Sequence, residues 1–137
     1  MTQNVENQVQ KFLLTFCAEG ENINMKLLIV GSRSIKDFDL EKYVPEETEM
    51  IITGGADGID TLAEKYADKK RLSKLVMRPQ YHLYGKGAPL KRNEKMLELC
   101  DAVLVVWDGS SKGTKYTLNY AEKIGKKVIL ITVTNKQ

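Results

Sequence analysis

The chain has 137 residues, 42% of them hydrophobic and 28% charged, with 10 glycines, 3 prolines and 2 cysteines. That composition fits one ordinary globular domain and excludes collagen-like, coiled-coil, disordered and disulfide-stapled classes. A chain of this length buries roughly two thirds of its unfolded surface, so a hydrophobic core suffices without metal or cross-links. The 21 Lys and Arg against 18 Asp and Glu leave a net charge of +3, too mild for a nucleic-acid footprint yet compatible with a small anionic ligand.

At the N-terminus, Val5, Val9, Phe12, Leu13, Phe16 and Cys17 recur at helical spacing and predict an amphipathic helix that Gly20 could end. Two readings of residues 1–24 stand. The segment is an added helix covering a sheet face or a partner subunit, or Met25, which opens a self-contained pattern, is the true start of translation. The apolar stretch from Phe12 to Cys17 is shorter than a signal-peptide core or a membrane span, so no membrane partner is expected. Cys17 and Cys100 lack metal-like spacing, and a reduced pair in the cytoplasm is the simpler reading.

From Lys26 onward, short apolar runs alternate with helical patterns. Five strands are predicted: Leu27 to Val30, Met50 to Thr53, Leu75 to Met77, Ala102 to Trp107 and Val128 to Val133. Helices are predicted over Phe38 to Val44, Asp57 to Lys70, Leu90 to Leu99 and Gly113 to Ile124. Near-continuous hydrophobicity within the strands, with connections long enough for crossovers, indicates a parallel sheet buried on both faces. The expected fold is α/β, Rossmann-like and doubly wound, with a mostly parallel five-stranded sheet in the order 3-2-1-4-5 spanning residues 25–137. Its switch point lies between the first and fourth strands, where a ligand is expected.

Three predicted strands run into loops of small residues: Gly31-Ser32-Arg33-Ser34, Gly54-Gly55-Ala56-Asp57-Gly58-Ile59-Asp60, and Asp108-Gly109-Ser110-Ser111-Lys112-Gly113-Thr114. Any one of them is a backbone turn as readily as a binding loop. Three at one sheet edge point to an anion cradle, because glycine admits close approach and helix N-termini attract phosphate. The Walker A pattern is absent, the first strand lacks G-x-G-x-x-G, and Ile52-Thr53-Gly54 stands where a dinucleotide fold places its ribose-binding acid. P-loop hydrolysis and ordinary NAD-dependent dehydrogenation are therefore disfavoured.

Val30-Gly31-Ser32-Arg33, Thr53-Gly54-Gly55-Ala56-Asp57-Gly58-Ile59-Asp60, Tyr84-Gly85-Lys86-Gly87-Ala88, Arg92-Asn93-x-x-Met96, Cys100-Asp101-Ala102-Val103 and Ser111-Lys112-Gly113-Thr114 occur in this order. Together they resemble the YspA or cpYpsA-related branch of the SLOG superfamily, over nearly all of Met25 to Val133. The resemblance implies a Rossmann-like domain for a nucleotide or nucleotide derivative. Lonely-guy phosphoribohydrolases in that superfamily carry Gly-Gly-x-Gly-Thr-x-x-Glu and an upstream arginine. Here Arg92 matches the arginine, but Thr117 occupies the glutamate position and cannot serve as a carboxylate base or nucleophile. No residue is assigned to catalysis, and no cofactor or metal is called for.

The candidate ligand-binding residues are Gly31, Ser32, Arg33, Gly54, Gly55, Asp57, Gly58, Asp60, Arg92, Asn93, Gly109, Ser111, Gly113 and Thr114. Arg92 and Asn93, read as opening the helix before the fourth strand, would grip phosphate or reach a ribose; the competing reading is a surface arginine beside a helix cap. Arg33 carries the same two readings. Asp57 and Asp60 would accept from ribose hydroxyls or cap their helix, and Asp108 is a similar case. Thr114 would offer hydroxyl and amide to a phosphate. His82 is given no role, Tyr81 or Tyr84 could stack on a base, and the Gly- and Pro-bearing connection around Lys86 could form a lid. Trp107 is read as a packing residue.

Three functions follow. The first is a cytosolic sensor, carrier or sequestering domain for an ADP-ribose-like compound or a mononucleotide. The second is a phosphoribohydrolase or N-glycosidase, with Glu94 or an aspartate replacing the missing glutamate. The third is DprA-like single-stranded DNA binding, for which a basic groove and stacking platforms are lacking. Superfamily members commonly pair, and the N-terminal helix would offer a homodimer surface.

Overall fold

The computed structural model describes residues 25–134. The helix predicted over the N-terminal residues and Cys17 lie outside the described residues. Five strands, β1 (Met25–Gly31), β2 (Thr48–Thr53), β3 (Ser73–Val76), β4 (Ala102–Trp107) and β5 (Lys127–Thr132), form one sheet ordered β3-β2-β1-β4-β5. Every adjacent pair is parallel, as the buried apolar runs and crossover lengths require. Between them lie helices α1 (Ile59–Lys70), α2 (Tyr81–Tyr84, a single turn), α3 (Ala88–Leu99) and α4 (Lys112–Lys123), with 3-10 turns at Leu40–Lys42 and Gly85–Gly87.

Side-chain alternation along the strands divides the core in two. Leu27 and Ile29 of β1, Ile51 of β2, and Leu104 and Val106 of β4 pack on one face with Ile59, Ala63 and Ala67 of α1. Leu28, Val30, Ile52, Val103 and Val105 face the other way, onto Met96 and Leu97 of α3 and Leu118 and Ala121 of α4. Cys100 belongs to this second layer, and burial pushes its thiol up to about 11.

Three local expectations change. The helix predicted over residues 38–44 is only the 3-10 turn Leu40–Lys42, started by Asp39, whose carboxylate accepts from the Glu41 amide. Pro45 follows closely, and the residue before a proline is driven out of helical space, so the segment cannot lengthen. Its apolar residues still reach the core: Leu40 is buried, and Phe38 stacks on Tyr43 with ring centroids 5.6 Å apart. Secondly, β3 is an edge strand with Ser73, Lys74 and Leu75 exposed, so burial on both faces does not extend to it. Thirdly, α3 begins at Ala88, with Pro89 in its first turn where a missing N–H costs nothing. Arg92 and Asn93 therefore lie inside the helix rather than at its opening.

The approach of α1 to β1 depends on Gly58. Its φ is +75°, and a Cβ built there would sit 2.5 Å from the Ser32 carbonyl oxygen and 2.6 Å from that of Arg33. Replacement by alanine therefore meets both backbone strain and a collision with main chain that cannot rotate away. Gly58→Ala is expected to lower unfolding free energy by about 3 kcal/mol, read from urea denaturation. A loss within ordinary surface scatter would show that this junction yields easily.

Candidate functional site

The chain leaves β1 at Gly31, and the next residue fastens three segments together. Ser32 is 1% exposed. Its amide donates to the Val106 carbonyl at 3.0 Å, and its own carbonyl accepts from the amides of Ile35 and Ile59. Its hydroxyl oxygen accepts from the Asp108 amide at 2.9 Å and lies 3.0 Å from the Ser111 hydroxyl. Ser111 in turn donates to Thr114 Oγ1 at 2.9 Å. Each hydroxyl has one proton, so Ser32 donates to Ser111, Ser111 to Thr114, and Thr114 keeps its own proton for a further acceptor.

The turn after β4 is built by Asp108. Its Oδ1 accepts from the amides of Ser110 and Ser111, at 2.9 and 2.8 Å, while Ser34 donates to Oδ2 at 2.7 Å. The Trp107 indole N–H donates to the Ser111 carbonyl at 3.0 Å while its ring packs on the second core layer, so this residue holds the turn in place. These bonds aim the first turn of α4 at the gap between β1 and β4. Hydrogen bonds from the Ser110 amide and the Ser34 hydroxyl hold the Asp108 carboxyl well below the usual carboxylate range.

The turn after β2 carries a buried carboxylate facing a buried cation. Asp60 is 6% exposed and Arg92 is 8% exposed. Asp60 Oδ2 accepts from the Ala56 amide at 3.2 Å, and Thr61 donates to the Ala56 carbonyl at 3.0 Å, fixing the loop to α1. Burial raises the Asp60 carboxyl, opposed by the Ala56 amide and by Arg92. Arg92 donates from Nη1 to the carbonyls of Gly54 and Met77, and from Nε to Asn93 Oδ1 at 2.7 Å. Burial also lowers Arg92 from its ordinary value, with Asp60 opposing. Both groups crowd Gly54, where a Cβ would stand 2.5 Å from Arg92 Nη1 and 2.9 Å from Asp60 Oδ2. Only glycine leaves them room.

These elements enclose a cavity of about 430 Å³ at the carboxyl ends of β1 and β4, the switch point of the sheet. Of the sequence-predicted residues, Gly31, Arg33, Asp60, Arg92, Asn93, Ser111, Gly113 and Thr114 line it together. Ser32 lies behind the wall, within the bonds just described. Gly54 and Gly55 supply carbonyls to Arg92 and to Arg78, the latter bond being 3.0 Å. Asp57 and Gly58 border a separate groove with Lys36 and Lys65. Gly109 sits in the Asp108 turn, near Thr132. Thr117 is buried in the wall, donating to the Gly113 carbonyl and accepting from Asn93 Nδ2 at 2.7 Å.

The cavity is also lined by Val30, Ser34, Ala56, Pro89, Leu90 and Thr117, which are not among the candidate residues, and by Asp108, which carries the same two readings as Asp57 and Asp60. Pro89 and Leu90 were detectable, because a helix through Arg92 and Asn93 carries residues three and four positions earlier on the same face. Asp108, the first residue of the loop singled out after β4, both builds that turn and lines the cavity. Among the described residues, no group of three His, Cys, Asp or Glu side chains could hold a metal ion, and no helix is long and apolar enough to cross a membrane.

The Asp108 bonds imply a pH dependence. A carboxylate whose folded pKa lies below its unfolded value contributes stability above the unfolded value and loses it as pH falls through that value toward the folded one. Wild type should exceed Asp108→Asn in stability near neutral pH, and the gap should narrow progressively as pH falls below about 4 in urea titrations. A gap constant across that range would remove charge from the account.

No family model and no solved structure matches the chain. Among curated proteins, the Gene 61 protein of Mycobacterium phage D29 is 31% identical over 117 residues, spanning 76% of this chain and 94% of that relative. Near-complete coverage of the relative at this identity shows common descent, and the chain belongs to the family of the phage D29 Gene 61 protein.

Proposed function

We propose that the chain binds a nucleotide or nucleotide derivative, ADP-ribose-like or mononucleotide, in the switch-point cavity and serves as a SLOG-type sensor, carrier or sequestering domain. One observation carries this reading: Arg33, Arg92 and the first turn of the 12-residue helix α4 border a single cavity of about 430 Å³. Its volume lies within the roughly 300–1,000 Å³ usual for small-molecule sites. A guanidinium and a helix N-terminus are the two protein features best matched to a phosphoryl group. The spare Thr114 proton adds a third donor, and Asn93 and Asp60 are available to ribose hydroxyls. Thr117 supports binding over turnover, since its hydroxyl is already committed to Gly113 and Asn93.

A second reading, cleavage of an N-glycosidic or phosphoribosyl bond, is favoured by Asp60 alone. This carboxylate lines the same cavity as Arg92, and burial raises its pKa, as a general acid requires. Glu94 is not among the lining residues and bonds instead to the Tyr116 hydroxyl.

At a hundredfold excess over Kd, ligand adds about 2.7 kcal/mol to the native state, which raises Tm by on the order of 10 °C in a domain of this size. AMP or ADP-ribose should produce such a shift in a thermal scan. A Cβ at Gly113 meets no atom within 4 Å, so Gly113→Val should keep the unliganded Tm within about 2 °C while occupying the cavity and abolishing the ligand shift. If neither compound moves wild-type Tm, the binding reading fails. Incubation of wild type with AMP and NAD should release no free base. Release that disappears in both Asp60→Asn and Arg92→Ala would replace the binding reading with the hydrolytic one.

A further inference from the structure

Behind Arg92, on the side away from β1, lies a second cavity of about 260 Å³, bordered by Met77, Arg78, Tyr84, Ala88, Arg92 and Lys95. Three cations converge on it and no carboxylate lines it. Arg78 donates to the Gly55 carbonyl at 3.0 Å, and Arg92 donates to the Gly54 and Met77 carbonyls. Both guanidinium groups are thus oriented by main-chain carbonyls, and the carboxylate nearest in charge to Arg92, Asp60, lines the main cavity and not this one. Lys95 Nζ lies 5.4 Å from the centroid of the Tyr84 ring and donates to its hydroxyl at 3.5 Å. Among the described residues, none of the three forms an ion pair within 4.0 Å, whereas Lys70, Lys74 and Lys91 each have an acidic partner.

The two glutamates of helix α3 that follow Arg92 are engaged away from the second cavity, and Lys91 sits with them, 3.9 Å from Glu94. Glu94 and Glu98 bond to the hydroxyls of Tyr116 and Tyr120 on α4. Arg92 and Lys95, three residues apart, border the second cavity from the opposite side of the helix. Like charges held around a small concave space repel one another unless an anion enters.

We propose that this second cavity is a phosphoryl-binding subsite, and that the ligand of the chain is a nucleotide bearing a second phosphoryl group beyond the one held in the main cavity. Arg92 forms a wall of both cavities and would contact both groups. The extension to a diphosphate ligand rests on the nucleotide reading of the main cavity; the anion subsite itself does not. Tyr84 and the aliphatic stem of Lys95 would exclude water from one flank of the bound group.

The test is an amide NMR titration of the full chain with inorganic phosphate, AMP and ADP in parallel. Phosphate and ADP should move the amides of Arg78, Tyr84 and Lys95 saturably, AMP should move those of Arg33, Ser111 and Thr114 alone, and ADP should bind more tightly than AMP. Lys95 and Arg78 are exposed, so Lys95→Gln and Arg78→Gln should fold normally. Each should weaken ADP by roughly tenfold, the loss expected for one charge-assisted contact, with AMP unchanged. Shifts at the second cavity with phosphate but not with ADP would mean a free-phosphate site and overturn the diphosphate assignment. Silence there with both overturns the subsite, whatever AMP does. Silence at Arg33, Ser111 and Thr114 with both nucleotides overturns the nucleotide reading instead.

Discussion

The candidate site depends on one buried serine. In a parallel sheet the loops leaving adjacent strands have no ladder to hold them together, and each could diverge as soon as its strand ends. Ser32 prevents this by using every polar group it has: its amide on β4, its carbonyl on the start of α1 and its hydroxyl on the turn before α4. Gly58 makes the arrangement feasible, since any side chain there would strike the carbonyls of Ser32 and Arg33. The cavity exists because these loops are locked at a common point and then separate around it.

A second principle governs charge. On the surface, Lys70 and Lys74 are neutralised by Glu41, Glu64 and Asp68. At the carboxyl edge of the sheet, by contrast, Arg78 and Arg92 are held by main-chain carbonyls. Carbonyl tethering fixes a guanidinium without cancelling its charge, whereas a carboxylate would fix and neutralise it together. Asp60 faces Arg92 from within the same cavity, with burial raising its carboxyl and Arg92 and the Ala56 amide opposing that rise. Arg33 and Arg92 share the main cavity with Asp60 and Asp108, whereas Arg78, Arg92 and Lys95 border the second cavity with no acid in its lining.

The sequence made the sheet legible because its strands are short apolar runs bounded by glycine, a pattern with few other solutions. It was less informative where one local signal competed with another. The apolar spacing of Phe38, Leu40, Tyr43 and Val44 reads as a helix, yet Pro45 limits it to one tight turn and the same residues pack as a loop. Leu75 reads as a buried strand residue but sits 38% exposed at the sheet edge. At the site, glycines and cations were visible as types, but their division of labour was not. Nothing in Gly31-Ser32-Arg33 says that the serine turns inward to bind loops while the arginine faces the cavity.

Hydrophobic period and glycine punctuation are encoded residue by residue, and so the parallel α/β fold, its strand order and the location of the loops at one edge follow from the sequence alone. Tertiary structure decided which polar groups are consumed in holding that edge together and which remain available. Ser32, Thr117 and the Gly54 carbonyl have partners 24 to 79 residues distant along the chain. Hydrogen bonds over such separations depend on how helices seat against the sheet, and no local pattern records that geometry.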